Sequence, residues 1–215
     1  GLSRLETVRV SRASAEQRAG RAGRTAPGTA IRLWRAEQTG ALEAFDRPEI
    51  LSADLSSLLL DCISWGVAEP ATLPFLDPPP SGAVAEARLL LEDLGALDGE
   101  GRLMAEGERM RLMPLSPRLA RMVTGAREGE PRRLAARLAV LLGEHGLGGN
   151  DTDLAERLRR WDGDRSPRAK SANDLAARLA RLGSGPGDLD TDEPAALLAL
   201  AYPDRVGIAR GSRGS

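Results

Sequence analysis

The sequence predicts a mainly helical protein, and three observations carry that expectation. Hydrophobic residues make up 41% of the 215, most of them Ala and Leu, while aromatic residues are only 3%. Such a composition suits helix-on-helix packing better than a β sandwich. Apolar residues recur at helical spacing along most of the chain, and prolines stand where first helical turns begin.

Taken in order, Val8-Arg9-Val10 and Ala30-Ile31-Arg32-Leu33-Trp34 read as short strands flanking a helix that contains residues 17–24. Ser14, three residues before Gln17, has the spacing of a capping box at the start of that helix. Ser52 is placed to cap a second helix, striped by Leu55, Leu58, Leu59, Cys62 and Ile63 and ended by Gly66. After Pro78-Pro79-Pro80 a third helix carries Val84, Ala87, Leu90, Leu91 and Leu94, with Gly95 closing it. Asp98-Gly99-Glu100-Gly101 between two short strands is a hairpin signal. Helix, helix and hairpin in that order are the parts of a winged helix.

From Ala105 every signal is helical. Pro117 and Pro131 sit at first-turn positions. Leu134, Leu138, Leu141 and Leu142 form one apolar face, and Leu154, Leu158 and Trp161 another. Ser171-Ala172-Asn173-Asp174 has the spacing of a cap before Leu175, Leu179 and Leu182, and Pro194 opens a last short helix. Residues 146–151 and 162–168 read as loops. The whole is a helical bundle followed by a Gly-, Ser- and Arg-rich tail.

The net charge of −1 conceals blocks. Residues 1–35 carry eight Arg against two Glu, residues 36–100 two Arg against thirteen acids, and residues 101–139 nine Arg against four acids. Separate surfaces with separate partners would produce this, and so would ordinary scatter. One cysteine, Cys62, excludes an internal disulfide framework, and its place on an apolar stripe marks it as a buried structural thiol. No apolar run approaches the roughly 20 residues that span a bilayer, and no signal peptide opens the sequence. A cytoplasmic protein without membrane contact is expected.

The segment Gln17-Arg18-Ala19-Gly20-Arg21-Ala22-Gly23-Arg24 is the most informative. On a helix at about 100° per residue, Gln17, Arg21 and Arg24 share a sector of roughly 60°, with Arg18 off to the side. Guanidinium groups donate paired bonds to phosphate oxygens, and Gly20 on the flank leaves room for close approach. A merely solvated helix gains nothing from two glycines, which cost about 1 kcal/mol each relative to Ala. The face suits a polyphosphate.

This segment resembles motif VI of the superfamily 2 helicases in the form of the DEAH/RHA group. Residues 25–34 are similar to the Pro-Gly turn and strand that follow the motif. Arg47-Pro48-Glu49-Ile50-Leu51 with residues 54–58 resembles the start of the family's winged-helix domain, Phe75-Leu76-Asp77-Pro78-Pro79-Pro80 its linker, and Leu94 to Leu103 its wing. Ala201-Tyr202-Pro203-Asp204-Arg205-Val206 is similar to the bacterial HrpB-like subgroup. The resemblance implies a terminal piece of a RecA-like α/β domain with motif VI over 1–39, a winged-helix domain over 40–104, a helical ratchet domain over 105–203, and over 204–215 the start of a linker to a further domain.

The resemblance further implies that Arg21 and Arg24 reach the γ-phosphate of ATP, that Gln17 helps place the attacking water, and that Arg18 forms a salt bridge within its domain. Lys170, the only lysine, follows Ala169, and His145, the only histidine, follows Leu142-Gly143-Glu144, so neither a P-loop nor an Asp-Glu-x-His site is present. ATP and Mg2+ are therefore expected to bind mainly on RecA-like domains missing from the chain. No cofactor, metal site or ATPase activity is expected of this piece alone. Single-stranded nucleic acid, RNA by the resemblance, is the expected partner, gripped by Arg118, Arg121, Arg132, Arg133 and Arg137 on the helical domain. The competing reading is a winged-helix DNA-binding regulator. Against it, the candidate recognition helix offers Arg88 alone beside Glu86, Glu92 and Asp93, and would be repelled by phosphates.

Overall fold

The structure, a computed structural model, describes residues 8–207. The expected linker over 204–215 is thus described only to Gly207, and the rest of it lies outside the described residues. The chain forms two compact units, one of residues up to Asp54 with Leu76–Pro78, the other of Leu55–Phe75 and the chain from Pro79 onward.

The first unit is built on α1 (Arg12–Ala22), followed by 3-10 turns at Ala36–Ala41 and Glu49–Leu51. Ser11, not Ser14, caps α1: its hydroxyl accepts from the Ser14 N–H at 3.1 Å. The Arg12 and Ala13 N–H groups donate to the carbonyls of Glu43 and Ala44 at 2.8 and 3.1 Å. Gln17 is therefore not a capping-box partner and sits mid-helix. The strands expected at 8–10 and 30–34 are absent among the described residues. A strand needs a hydrogen-bonded neighbour, and neither segment has one here. Val8, Ile31 and Leu33 stand 79%, 81% and 93% exposed.

The second unit contains α2 (Ser56–Ser64), α3 (Ser81–Asp93), α4 (Ala105–Arg111), α5 (Pro117–Gly125), α6 (Glu130–Gly143), α7 (Leu154–Gly163), α8 (Pro167–Leu182) and α9 (Pro194–Ala201). Its mainly helical character agrees with the composition. Ser52 does not cap α2; it ends the preceding 3-10 turn, and the helix starts four residues later. Gly66 and Gly95 close α2 and α3 as expected, at φ of 84° and 70°. At both ends the residue after the glycine donates back five positions, Val67 to Cys62 and Ala96 to Leu91, each at 2.8 Å. That left-handed closure favours glycine.

The expected hairpin shrinks to one antiparallel bridge, Leu97 with Leu103. Its turn is held by Asp98, whose carboxylate accepts from the Glu100 and Arg102 N–H groups at 2.9 Å and from Arg102 Nε at 2.7 Å. These bonds, those from Arg102 foremost, hold the carboxyl below its ordinary range.

α8 starts earlier than expected. Ser166 caps it, accepting from the Ala169 N–H at 3.2 Å with Pro167 in the first turn, so Ser171 lies inside the helix. The Ser-Pro pair was the stronger signal, because proline is pre-organised for a first turn and donates nothing there. α6 packs on α8, and both helices bury small residues, Ala135, Ala136 and Ala139 on the first and Ala169, Ala172 and Ala176 on the second. Trp161 closes the end of this pair, 1% exposed, donating from Nε1 to the Ala169 carbonyl at 3.3 Å. α5 lies against α4, α6 and α9, and α2 against α3. Leu59, Leu91, Leu138, Leu179 and Leu197 are essentially inaccessible, and each contributes about 1.5–3 kcal/mol by burial.

Candidate functional site

On α1, Gln17 and Arg21 lie one turn apart and share a face. Arg24 falls beyond the helix, after the cap at Gly23, on a bend rather than in a third helical turn. All three side chains are exposed, and none has a hydrogen bond or ion pair with another described residue. The first-turn N–H groups are already taken by Glu43 and Ala44, so an anion here would meet side-chain donors rather than the helix N-terminus.

The glycines separate by role. A Cβ on Gly20 or Gly23 would meet nothing within 4 Å, so packing within the described chain does not require either. A Cβ on Gly28 would fall 1.8 Å from the Ala22 carbonyl oxygen, which makes glycine obligatory where the Pro27-Gly28 turn meets the helix end. Arg18 lines a separate cleft of about 420 Å³ between α1 and residues 29–34. It has no carboxylate partner among the described residues, so the salt bridge expected of it is not formed there.

The five arginines expected to grip nucleic acid do not form one free face. Arg132 is 5% exposed and its guanidinium is spent on backbone carbonyls: Ala126 at 3.2 Å, Gly183 at 2.7 Å and Gly185 at 2.6 Å. It is a clamp inside the fold, unavailable to phosphate. Arg118 grips Asp204 with two bonds, 2.6 and 3.1 Å, reaches the Ala201 carbonyl at 3.0 Å, and lies over the Tyr202 ring. That pairing lowers the Asp204 carboxyl. Arg121 reaches Glu106 at 3.3 Å, a carboxylate that also accepts from Arg109 and Thr124. Arg137 pairs with Asp162 and stacks over Trp161, 4.8 Å from the ring centre. Arg133 pairs with Glu130 on its own helix and remains 67% exposed. Arg88, the lone cation of α3, donates to the Ala68 carbonyl at 2.9 Å and to Glu69 at 3.1 Å, which leaves α3 with no free positive charge toward DNA.

The sequence reading passed over Arg165, Lys170, Arg178 and Arg181. In the second unit these are the Lys and Arg side chains without a hydrogen bond, ion pair or ring contact among the described residues. Single cations spread along a helix form no local cluster of the kind that Arg132 and Arg133 do. Their signal was the balance of α8, where Asp174 is the sole acid.

Among known proteins, no family model matches the chain. The ATP-dependent RNA helicase HrpB of Escherichia coli is 41% identical over 214 residues, covering 100% of this chain and 26% of that protein. The chain belongs to the DEAH/RHA helicase family. A crystal structure titled as the Escherichia coli DEAH/RHA helicase HrpB superposes with a TM-score of 0.75 at 39% identity, over 100% of this chain and 26% of that one. The ATP-dependent RNA helicase HrpA homolog of Haemophilus influenzae is 36% identical over 132 residues, 58% of the chain and 10% of that protein. The chain spans about a quarter of the length of its full-cover relative.

Proposed function

We propose that this chain is part of a cytoplasmic ATP-dependent RNA helicase, in which Gln17, Arg21 and Arg24 read the state of the nucleotide. The observation that carries the reading is the donor set on α1 and just after it: two guanidinium groups and an amide, exposed, unpartnered and beside glycines that internal packing does not need. That donor set fits a polyphosphate. ATP would supply the phosphoryl group whose transfer drives the cycle, with Mg2+ and most nucleotide contacts held by RecA-like regions outside the chain. Arg21 and Arg24 neutralise charge on the γ-phosphate oxygens as it is transferred, and Gln17 orients the attacking water. Residues 1–39 would complete a RecA-like domain. Segment 40–104 would be a winged helix, whose turn Asp98 braces, and segment 105–203 a ratchet domain that guides a single strand. Segment 204–215 would lead to a further domain. Of the five arginines first considered for that strand, Arg133 needs only to leave a solvent-exposed partner; Arg118, Arg121 and Arg137 would each have to break a less exposed contact.

The test is RNA-stimulated ATP turnover by the full-length protein. Arg21→Ala or Arg24→Ala should lower kcat strongly, since an arginine delivered to the transferring phosphate is worth about 10³–10⁵ in rate, with a smaller change in KM. An equal loss in Arg18→Ala, with the fold intact, would overturn the assignment of roles.

A further inference from the structure

We propose that α8 carries a track for the sugar-phosphate backbone of a single strand, formed by Lys170, Arg178 and Arg181 with Arg133 across a groove from it. The inference rests on the helicase reading and gives it a place on the molecule. The second unit consumes nearly all its basic side chains internally: arginines on α3 to α7 are bound to carboxylates or carbonyls. Among the described residues its unpartnered cations gather instead on α8 or, for Arg165, two residues before it.

Lys170, Arg178 and Arg181 fall on one exposed face of α8, opposite the buried Ala172, Ala176 and Leu179. They extend over about 16 Å by the helical rise per residue, so the face is built for a repeating anion rather than a single one. Two hollows adjoin there. One of about 400 Å³ is lined by Asp174, Ala177, Arg178 and Arg181, and one of about 690 Å³ includes Glu128, Arg133, Ala177 and Arg181. They share Ala177 and Arg181, and the alanine floor lets a backbone approach closely.

Asp174 on the same face and Glu128 at the groove edge oppose the cations. The α8 stripe still carries three positive charges against one negative. Such a balance suits a strand that must slide rather than lock. Neither hollow has an aromatic lining residue, so bases are not stacked, and contact to phosphates alone tolerates any sequence. An acidic protein segment carries its charges on separate side chains rather than along a repeating backbone, so it matches a row of cations less well and is an outcome of the test.

The test measures binding of labelled oligo-U and oligo-A of equal length to the whole chain by fluorescence anisotropy across a salt series, with poly-glutamate as competitor. Arg178→Ala with Arg181→Ala should weaken both oligonucleotides alike. It should also flatten the slope of log affinity against log salt by about 1.4, at about 0.7 per lost single-strand phosphate contact. Arg159→Ala, which removes a cation paired with Glu156, should leave the slope unchanged. Ala177→Asp, which places an anion between the two hollows without removing a cation, should also weaken binding and keeps the test open if the double variant folds poorly. Poly-glutamate should compete poorly. An unchanged slope in folded double and Ala177→Asp variants would overturn the track, as would poly-glutamate displacing the oligonucleotides as well as RNA does. Failure of the Arg21→Ala kinetic test would instead strike the helicase reading and leave these binding results standing.

Discussion

Arg132 Nη1 donates to the carbonyl oxygen of Gly183 at 2.7 Å, tying the first turn of α6 to the residue that ends α8. Nη2 and Nε extend the clamp to Gly185 and Ala126, so a single buried guanidinium satisfies carbonyls on both sides of a chain reversal. Arg132→Met keeps much of the volume and loses every one of these bonds. It should destabilise the unit by at least about 1.5–3 kcal/mol, the scale of one hydrogen bond to a charged group. Arg133→Met, the neighbouring exposed change, should cost less than about 1 kcal/mol. Urea midpoints of the two variants check the contrast, and equal midpoints would refute the clamp.

That contrast also shows what the sequence could reveal. Arg132 and Arg133 are adjacent and chemically identical, and local spacing cannot say that one turns inward. Two of its three partners lie 51 and 53 residues away, and long-range closure is not written in local pattern. Gly66, Gly95, Pro117 and Pro194 were legible because helix ends are governed by neighbouring residues. The strands at 8–10 and 30–34 failed for the opposite reason, since β structure requires a partner strand and the described chain gives these segments none. The α1 segment was legible as a helix whose residue types, rather than tertiary contacts, make it a candidate for phosphate. Even there, Arg24's departure from the helix was not.

Cys62 is 1% exposed, and burial, with the nearby Asp61 charge adding to it, pushes its thiol above the ordinary range. The thiol stays protonated and covered at neutral pH, and thiolate is the reactive form. Alkylation by iodoacetamide at pH 7.5 should be at least tenfold slower than for the urea-unfolded chain. Because the folded pKa is raised, the contribution to stability is fully present below the unfolded value and declines as pH rises through the folded one. Equal labelling rates in the folded and unfolded chains would contradict a buried thiol.

Asp98 titrates in the other direction. Its folded pKa is lowered, chiefly by the backbone and side-chain bonds from Arg102. Its contribution is therefore present above the unfolded value near 4 and disappears as pH falls through the folded one. Asp98→Ala should lower the thermal midpoint at pH 7, and the gap from the parent chain should narrow toward pH 3. A gap independent of pH would mean that the turn does not depend on the carboxylate charge.

Gly20 separates stability from function on a single atom. It lies inside α1 with open space where a Cβ would point. Gly20→Ala should therefore stabilise the helix, by about 0.5–1 kcal/mol from the entropy that glycine loses on folding. If the open flank seats a phosphate beside Gln17 and Arg21, filling it should lower kcat/KM for ATP in the full-length protein, and the larger Gly20→Leu should lower it further. Melting midpoints and steady-state ATP kinetics on the same preparations give both quantities. A stabilised variant with undiminished turnover would mean that the glycine serves neither packing nor nucleotide, and would count against a phosphate seated on that flank of α1.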